Sequence, residues 1–239
     1  MQNVKSALTT ENIMALLDKL YQGCLNGVPK VSPSIDKLAE DYIGKADSIE
    51  KAARQFTNYQ IAKCMTSGFL TGIGGHTTSL VSIHANISSV LYVQMRMVAG
   101  LAYMGGFDLK SDQVQTLIYA CLAGVSLNQI VKQTGIKFGT KFANSMIKKI
   151  PGTVLTKINQ KVGFRFITKF GTKGLINLGK AVPIIVGGLI GGCADLAETK
   201  AIAHRSYKLF IEGNISSLSD SDDIADDADS DFTENDVKQ

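Results

Sequence analysis

Between Lys63 and Arg96 the chain runs for 32 residues without a charged side chain. The absence of charge does not by itself predict a membrane span, because a bilayer-crossing helix needs about 20 predominantly apolar residues in succession. Ser, Thr, His and Asn residues interrupt this stretch throughout. The fold therefore has to accommodate helices that pack in a core or insert only shallowly into lipid.

The second half of the uncharged stretch has the period of an amphipathic helix. When successive residues are placed about 100° apart, apolar side chains gather around Ile87, and an interfacial stripe of Tyr92, Arg96 and Tyr103 lies near the opposite pole. Rings with a polar end and long cations suit a membrane interface. A partly exposed helix of a soluble bundle has the same pattern, and the sequence leaves both interpretations open.

Two segments of the chain combine glycines with apolar residues. The first contains Gly68, Gly72, Gly74 and Gly75, and the second is the 14 residues from Ala181 to Ala194. Glycines spaced three or four residues apart let helices approach closely, and a run this short suits a buried or shallowly inserted helix. The predicted helix-packing glycines are Gly68, Gly72, Gly75, Gly187, Gly188, Gly191 and Gly192. A nucleotide loop is not favoured, because neither a preceding strand nor a following Lys-Ser or Lys-Thr accompanies them.

Capping residues and turn residues divide the rest of the chain into helices. Thr9 or Thr10 can cap a first helix that ends at Gly27. Ser32, before a proline, and Asp47, with capping-box spacing, indicate the starts of a second and a third helix. No segment alternates polar and apolar residues over the length of a strand. The predicted fold is all-α, a compact bundle of about eight helices.

An acid-free span of 82 residues between Asp112 and Asp195 contains eleven basic residues. A basic ridge of Lys157, Lys161, Arg165, Lys169 and Lys173 repeats every four residues there, beside an apolar ridge of Val154, Ile158, Val162, Phe166 and Phe170. Like charges four apart disfavour a helix by roughly 0.2 to 0.5 kcal/mol per pair. This arrangement predicts a basic amphipathic helix with either an anionic partner or a well-solvated face.

Anionic lipid fits this charge pattern best, because lysines near such a surface contribute about 1 kcal/mol each and phenylalanines can insert beside them. The residues predicted to contact the anionic surface are Lys137, Lys141, Lys149, Lys157, Lys161, Arg165, Lys169 and Lys173. Nucleic acid is the second candidate, since phosphate contacts require the same charge, although the chain has none of the common nucleic-acid-binding motifs. A solvated basic face without a partner is the third.

The C-terminal segment has the opposite charge. From Asp220 to Gln239 there are nine acids and one base, which leaves 24 bases and 12 acids in the preceding residues, a body of charge +12. So acidic a segment, poor in apolar residues, cannot bury enough surface to offset the entropy of ordering. We predict a single helical domain over residues 1–212 and a disordered acidic tail over residues 213–239.

Three blocks of the sequence resemble proteins of the EcsC family. They are QIAKCMTSGFLTGIGG from Gln60, the segment from Ala85 to Gly124 that contains LYVQMRM, and the segment from Ile147 to Gly192 that contains INQKVGFR. The resemblance extends over roughly residues 10–212 and excludes the tail. The family is named after a gene that lies beside the genes of an ABC transporter. The resemblance implies association with membranes, with a possible link to transport or secretion, and implies no reaction.

Residues suited to catalysis or metal binding are scarce. The only histidines are His76, His84 and His204, no nucleophile or metalloprotease motif occurs, and the four cysteines are best interpreted as reduced core residues. We predict no metal, no cofactor and no enzymatic activity. The alternative from another class is an enzyme that binds a lipid headgroup with Arg96 and the tyrosines. The N-terminus has no basic segment followed by an apolar run, so the expected location is cytoplasmic, with peripheral membrane association.

The acidic tail generates a first test. A tethered segment of charge −8 is expected to compete with an anionic surface for the basic ridge, at an effective concentration that reaches the millimolar range. Truncation after Asn214 should therefore strengthen binding to anionic vesicles at low salt, with the difference fading as salt screens both attractions. Flotation of the full-length and truncated proteins measures this, and unchanged binding by the truncated protein would mean that the tail does not compete.

Overall fold

The computed structural model describes residues 9–27, 29, 32–65, 79–126, 147–178 and 184–214, with the backbone alone for residues 65, 79–89, 169–178 and 184–195. Within these ranges the chain forms seven α-helices and no β-strand, which confirms the all-α prediction. They are α1 (Thr10–Asn26), α2 (Ile35–Ile43), α3 (Ile49–Met65), α4 (Ser79–Met104), α5 (Asp112–Ala123), α6 (Gly152–Leu178) and α7 (Ile184–Phe210). The predicted acidic tail lies outside the described residues beyond Asn214.

Helix α4 lies at the centre of the bundle. It packs against α1, α2, α3, α5 and α7, and every residue from Leu91 to Ala102 is buried. A helix buried on all sides is expected to be apolar on all sides, and the polar residues of α4 are accommodated by specific partners. The Gln94 amide, for example, donates from Nε2 to Thr199 Oγ1 of α7 at 2.9 Å.

Helix α6 packs against α1 and α5 with the apolar ridge that the sequence predicts. Val154, Ile158, Val162 and Phe166 are each at most 5% exposed, so this part of the prediction is confirmed. Phe170 lies where only the backbone is described. Buried residues from all seven helices join in one hydrophobic core, which the four described ridge residues enter from α6.

The first helix begins and ends as predicted. The Thr9 hydroxyl oxygen accepts a hydrogen bond from the Asn12 backbone N–H at 3.2 Å, which satisfies one of the free donors at the helix start. Gly27 follows the last helical residue with φ of 74°, a backbone conformation that glycine adopts without strain. Helix α5 also ends at a glycine in the left-handed region, Gly124, with φ of 64°.

The predicted starts of the second and third helices are wrong by one or two residues. Ser34, not Ser32, precedes α2, because the chain around Ser32 is held against α4 before the helix starts. Helix α3 begins at Ile49, and the Ser48 hydroxyl accepts from the backbone N–H of Lys51 at 3.2 Å. The carboxylate of Asp47 instead pairs with the Lys51 ammonium at 2.8 Å.

The close helix approaches that are described occur at glycines other than the predicted ones. Gly68, Gly72 and Gly75 lie outside the described residues, and Gly187, Gly188, Gly191 and Gly192 lie in the part of α7 whose backbone alone is described, so their packing role stays a prediction. At Gly100 of α4 an added Cβ would collide with Cζ of the Phe56 ring. Phe56 is fully buried and packs edge-on against Tyr42, with ring centroids 5.4 Å apart.

No helix in the described ranges combines the length and apolarity that crossing a bilayer requires.

The packing at Gly100 can be tested by adding one methyl group. Gly100→Ala should destabilise the protein by about 1 to 3 kcal/mol through overpacking against Phe56, partly offset by the roughly 1 kcal/mol that alanine gains over glycine in a helix. The measurement is urea denaturation followed by circular dichroism. The matched control is Gly152→Ala at the start of α6, where an added Cβ meets nothing within 4 Å. If Gly100→Ala and Gly152→Ala change the stability equally, the two helices are not in tight contact at Gly100.

Candidate functional site

The predicted interfacial stripe is buried for the most part. Tyr92 is 7% exposed and Arg96 is 4% exposed, because the chain between α1 and α2 lies over this side of α4. Tyr103 is half-buried, and its hydroxyl donates to Oε1 of Glu40 at 2.7 Å; that hydrogen bond raises the pKa of Tyr103. The prediction that Tyr92 and Arg96 face a membrane is therefore wrong.

The Arg96 guanidinium organises a buried cluster of neutral oxygen atoms. Nη1 donates to the Pro33 carbonyl at 2.8 Å and to the Tyr92 hydroxyl at 3.4 Å, while the Tyr92 hydroxyl donates to the Gly23 carbonyl at 3.2 Å. The Tyr92 ring lies 5.7 Å from the guanidinium carbon, near enough for a cation–π contact. These contacts fix the connection between α1 and α2 against α4, and they give Arg96 a structural role.

The outward side of α6 combines cations with an exposed aromatic ring. Lys157 and Lys161 are exposed, and Phe164 is 65% exposed, more than any other large hydrophobic residue described. Phe164 follows Lys157 by seven residues and Lys161 by three, spacings that bring all three to one side of a helix. We call Lys157, Lys161 and Phe164 the outer face of α6.

Two further exposed lysines, Lys148 and Lys149, directly precede α6. Of the remaining predicted surface cations, Lys137 and Lys141 lie outside the described residues, and the side chains of Lys169 and Lys173 are likewise not described. No acid occurs on α6 or in the segment that leads into it. The four cations described as exposed here therefore have no carboxylate on α6 to pair with. They are Lys148, Lys149, Lys157 and Lys161.

Arg165 does not belong to the outer face. A period of four residues drifts by about 40° per step around an α-helix, so Arg165 is carried from the exposed side of α6 towards its buried side. The side chain is half-buried, and its Nη1 donates to the carbonyl of Gly124 and, at 3.5 Å, to that of Ala123. Arg165 thus contacts the carboxyl end of α5 rather than an external surface.

A cavity of about 360 Å³ lies beside this contact. Arg165 and Arg205 line it, and Arg205 donates from Nη2 to the Cys121 carbonyl at 3.2 Å. Arg205 is 6% exposed, and burial, followed by the positive charge of Arg165, lowers its pKa. Two cations therefore meet at the carboxyl end of α5, where unpaired carbonyls concentrate partial negative charge.

Sequence inspection missed Phe164 and the pairing of Arg165 with Arg205. The position of Phe164 was recoverable from the helical wheel, because it shares a side with Lys157 and Lys161. The arginine pair had no sequence signal, since forty residues separate its members and only the packing of α6 and α7 around α5 brings them together. No cluster of three metal-binding side chains occurs among the residues whose side chains are described.

Comparison with protein-family models, with curated proteins and with solved structures finds no match for this chain. The similarity to EcsC proteins therefore stays a prediction, and the functional argument depends on the geometry of α6 and its surroundings.

The structural role of Arg96 can be separated from a binding role. Arg96→Gln should destabilise the protein by about 1 to 3 kcal/mol, because it removes the charged donor to the Pro33 carbonyl. Binding to anionic vesicles should be unchanged at temperatures where the variant is folded. Lys110→Gln, at an exposed position, is the control for loss of a cation and should alter stability by less than about 0.5 kcal/mol. Loss of vesicle binding by Arg96→Gln at unchanged stability would restore a membrane-facing role.

Proposed function

We propose that this protein docks on anionic membrane surfaces through the outer face of α6. The observation that supports the proposal is Phe164, which is 65% exposed and follows the exposed Lys157 and Lys161 on a helix that has no acid. A single exposed aromatic residue is ordinary on a protein surface. An exposed aromatic residue that shares a helix face with lysines, on a helix without acids, matches the composition of helices that lie in the headgroup region of anionic bilayers.

The energetics of this face favour lipid over solvent. Each lysine near an anionic leaflet contributes about 1 kcal/mol, and transfer of the Phe164 ring out of water adds to this in proportion to the apolar area it buries. Lys148 and Lys149 extend the cationic surface to the start of α6. Docking of this kind uses side chains that already point outward, so it requires no rearrangement of the core.

Nucleic acid would use the same lysines but not the same aromatic ring. A duplex backbone attracts cations irrespective of sequence, and a phenylalanine contributes on a duplex mainly when it is wedged between base steps. The contribution of Phe164 therefore distinguishes the two partners. The resemblance to EcsC proteins supports the membrane, and it suggests that the docked protein serves transport or secretion.

The direct test compares vesicles of differing charge. The protein should float with vesicles containing phosphatidylglycerol, should not float with phosphatidylcholine alone, and should dissociate as salt shortens the Debye length from about 10 Å at 0.1 M. The double variant Lys157→Glu/Lys161→Glu should bind at least about a hundredfold more weakly, because it replaces two attractions of about 1 kcal/mol with repulsions. Phe164→Ser should weaken vesicle binding and leave duplex DNA binding unchanged.

The matched control is Lys37→Glu/Lys45→Glu, which makes the same change in net charge at two exposed lysines of the α2 region. It should retain most of the binding. Equal loss in both double variants would mean that net charge, rather than the outer face of α6, drives association. Equal binding to neutral and anionic vesicles would refute the proposal.

A further inference from the structure

We propose that the cavity between α5, α6 and α7 binds a phosphate group through Arg165 and Arg205. The volume of about 360 Å³ lies within the range of small-ligand pockets. Its wall is half apolar, and its polar groups are Arg165, Arg205, Thr168 and Glu198. The binding of a free phosphate ion there is independent of the proposed membrane docking.

The first support is an unpartnered donor on a buried cation. Arg205 is only 6% exposed, and its Nε lies in the protein interior without a hydrogen-bond partner in the described structure. Buried polar groups nearly always have partners, and an unpartnered N–H on a charged group is especially costly. This nitrogen is closed off from solvent as the side chain stands, so an anion in the adjacent cavity would supply the missing acceptor once the guanidinium turns towards it.

The second support is the charge balance of the cavity. Among the residues whose side chains are described, two guanidinium groups and the carboxylate of Glu198 line it, and these three groups have one net positive charge. The carboxyl end of α5 supplies only about half a negative charge. The side chain of Cys121, whose carbonyl accepts a hydrogen bond from Arg205, adds no negative charge, because burial raises the pKa of its thiol to about 12.

Phosphate fits these donors better than a spherical anion does. A guanidinium presents parallel N–H donors that match the oxygens of a phosphate or carboxylate, and two guanidiniums on different helices can contact different oxygens of one tetrahedral group. A phosphate monoanion would balance the one net positive charge of these groups while Glu198 stays ionised. The ligand chemistry is therefore a phosphate monoester or inorganic phosphate.

The position of the cavity suggests where such a phosphate comes from. Thr168, which lines the cavity, is exposed and lies one helical turn after Phe164, so the cavity borders the outer face of α6. A lipid headgroup that bears a phosphate monoester could reach it from a docked bilayer. This choice of source depends on the proposed function, whereas a free phosphate metabolite would reach the cavity from solution.

The test on the unaltered full-length protein uses its four arginines as reporters. Inorganic phosphate is titrated at constant ionic strength against chloride, and the Nε–H resonances are followed by nitrogen-15 NMR. The signals of Arg165 and Arg205 should shift saturably, while those of Arg54 and Arg96 should not. Absence of a saturable shift, or an equal response to chloride, would overturn the proposal without any variant having to fold.

Variants then locate the site. Arg165→Gln and Arg205→Lys should each weaken phosphate binding at least about tenfold, the effect of losing one charged hydrogen bond, with circular dichroism confirming that they are folded. Lys208→Gln is the matched control, since it removes a cation from the same helix where the lysine pairs with Glu212 at 3.1 Å. Unchanged affinity in folded Arg165→Gln and Arg205→Lys would place the bound phosphate elsewhere and overturn the proposal.

Vesicles distinguish the two sources. A headgroup site predicts tighter binding to phosphatidic acid than to phosphatidylglycerol at equal surface charge, and loss of that preference in Arg165→Gln. No preference, together with saturable binding of inorganic phosphate, assigns the cavity to a soluble phosphate. Lys157→Glu/Lys161→Glu should abolish vesicle binding and leave the NMR titration unchanged, so failure of membrane docking and failure of the phosphate site give different results.

Discussion

Burial of α4 on every side between Leu91 and Ala102 is the constraint on which the rest of the structure depends. A buried helix has no water to satisfy its polar side chains, so each must find a partner in a neighbouring element. Arg96 finds the Pro33 carbonyl, and Gln94 finds Thr199 of α7. These bonds fix the α1–α2 connection and α7 in place, because either element, if displaced, would leave a buried donor unpaired. The polar groups of α4 thus specify the arrangement of a core that is otherwise apolar.

Local signals in the sequence predicted several helices and some of their ends, but not which elements pack against each helix. The Thr9 cap, the Gly27 stop and the buried ridge of α6 follow from residues close in sequence, so they could be predicted. The wheel of α4 showed that Tyr92 and Arg96 lie opposite the most apolar face, yet a wheel does not show which faces other helices will cover. The last residues of the uncharged run, Leu91 to Met95, are all buried, in keeping with the rule that charged side chains are seldom fully buried. Which connection covers Arg96 depends on tertiary packing.

The basic ridge illustrates a second limit. A repeat of four residues reads as one stripe in the sequence, but 3.6 residues per turn rotate it steadily around the helix. Members of the same repeat therefore lie on different sides of the helix: Lys157 is exposed to solvent, and Arg165 contacts the carboxyl end of α5. The drift separates the candidate site into two parts, an exposed face with cations around Phe164 and a partly enclosed cavity with two guanidiniums. Only the first part could be recovered from the wheel, and the second requires both α6 and α7 to pack against α5.

These two parts should respond differently to their surroundings. Charges on the outer face of α6 act through water, where added salt screens them over a few ångströms. Arg205 acts in the protein interior, where the lower effective dielectric strengthens its interactions and screening is weak. The exposed lysines are thus suited to attract an anionic surface from a distance, without regard to headgroup shape. The buried arginine is suited to recognise one group at contact, because its donors are held in fixed directions by the Cys121 carbonyl and the packing of α7.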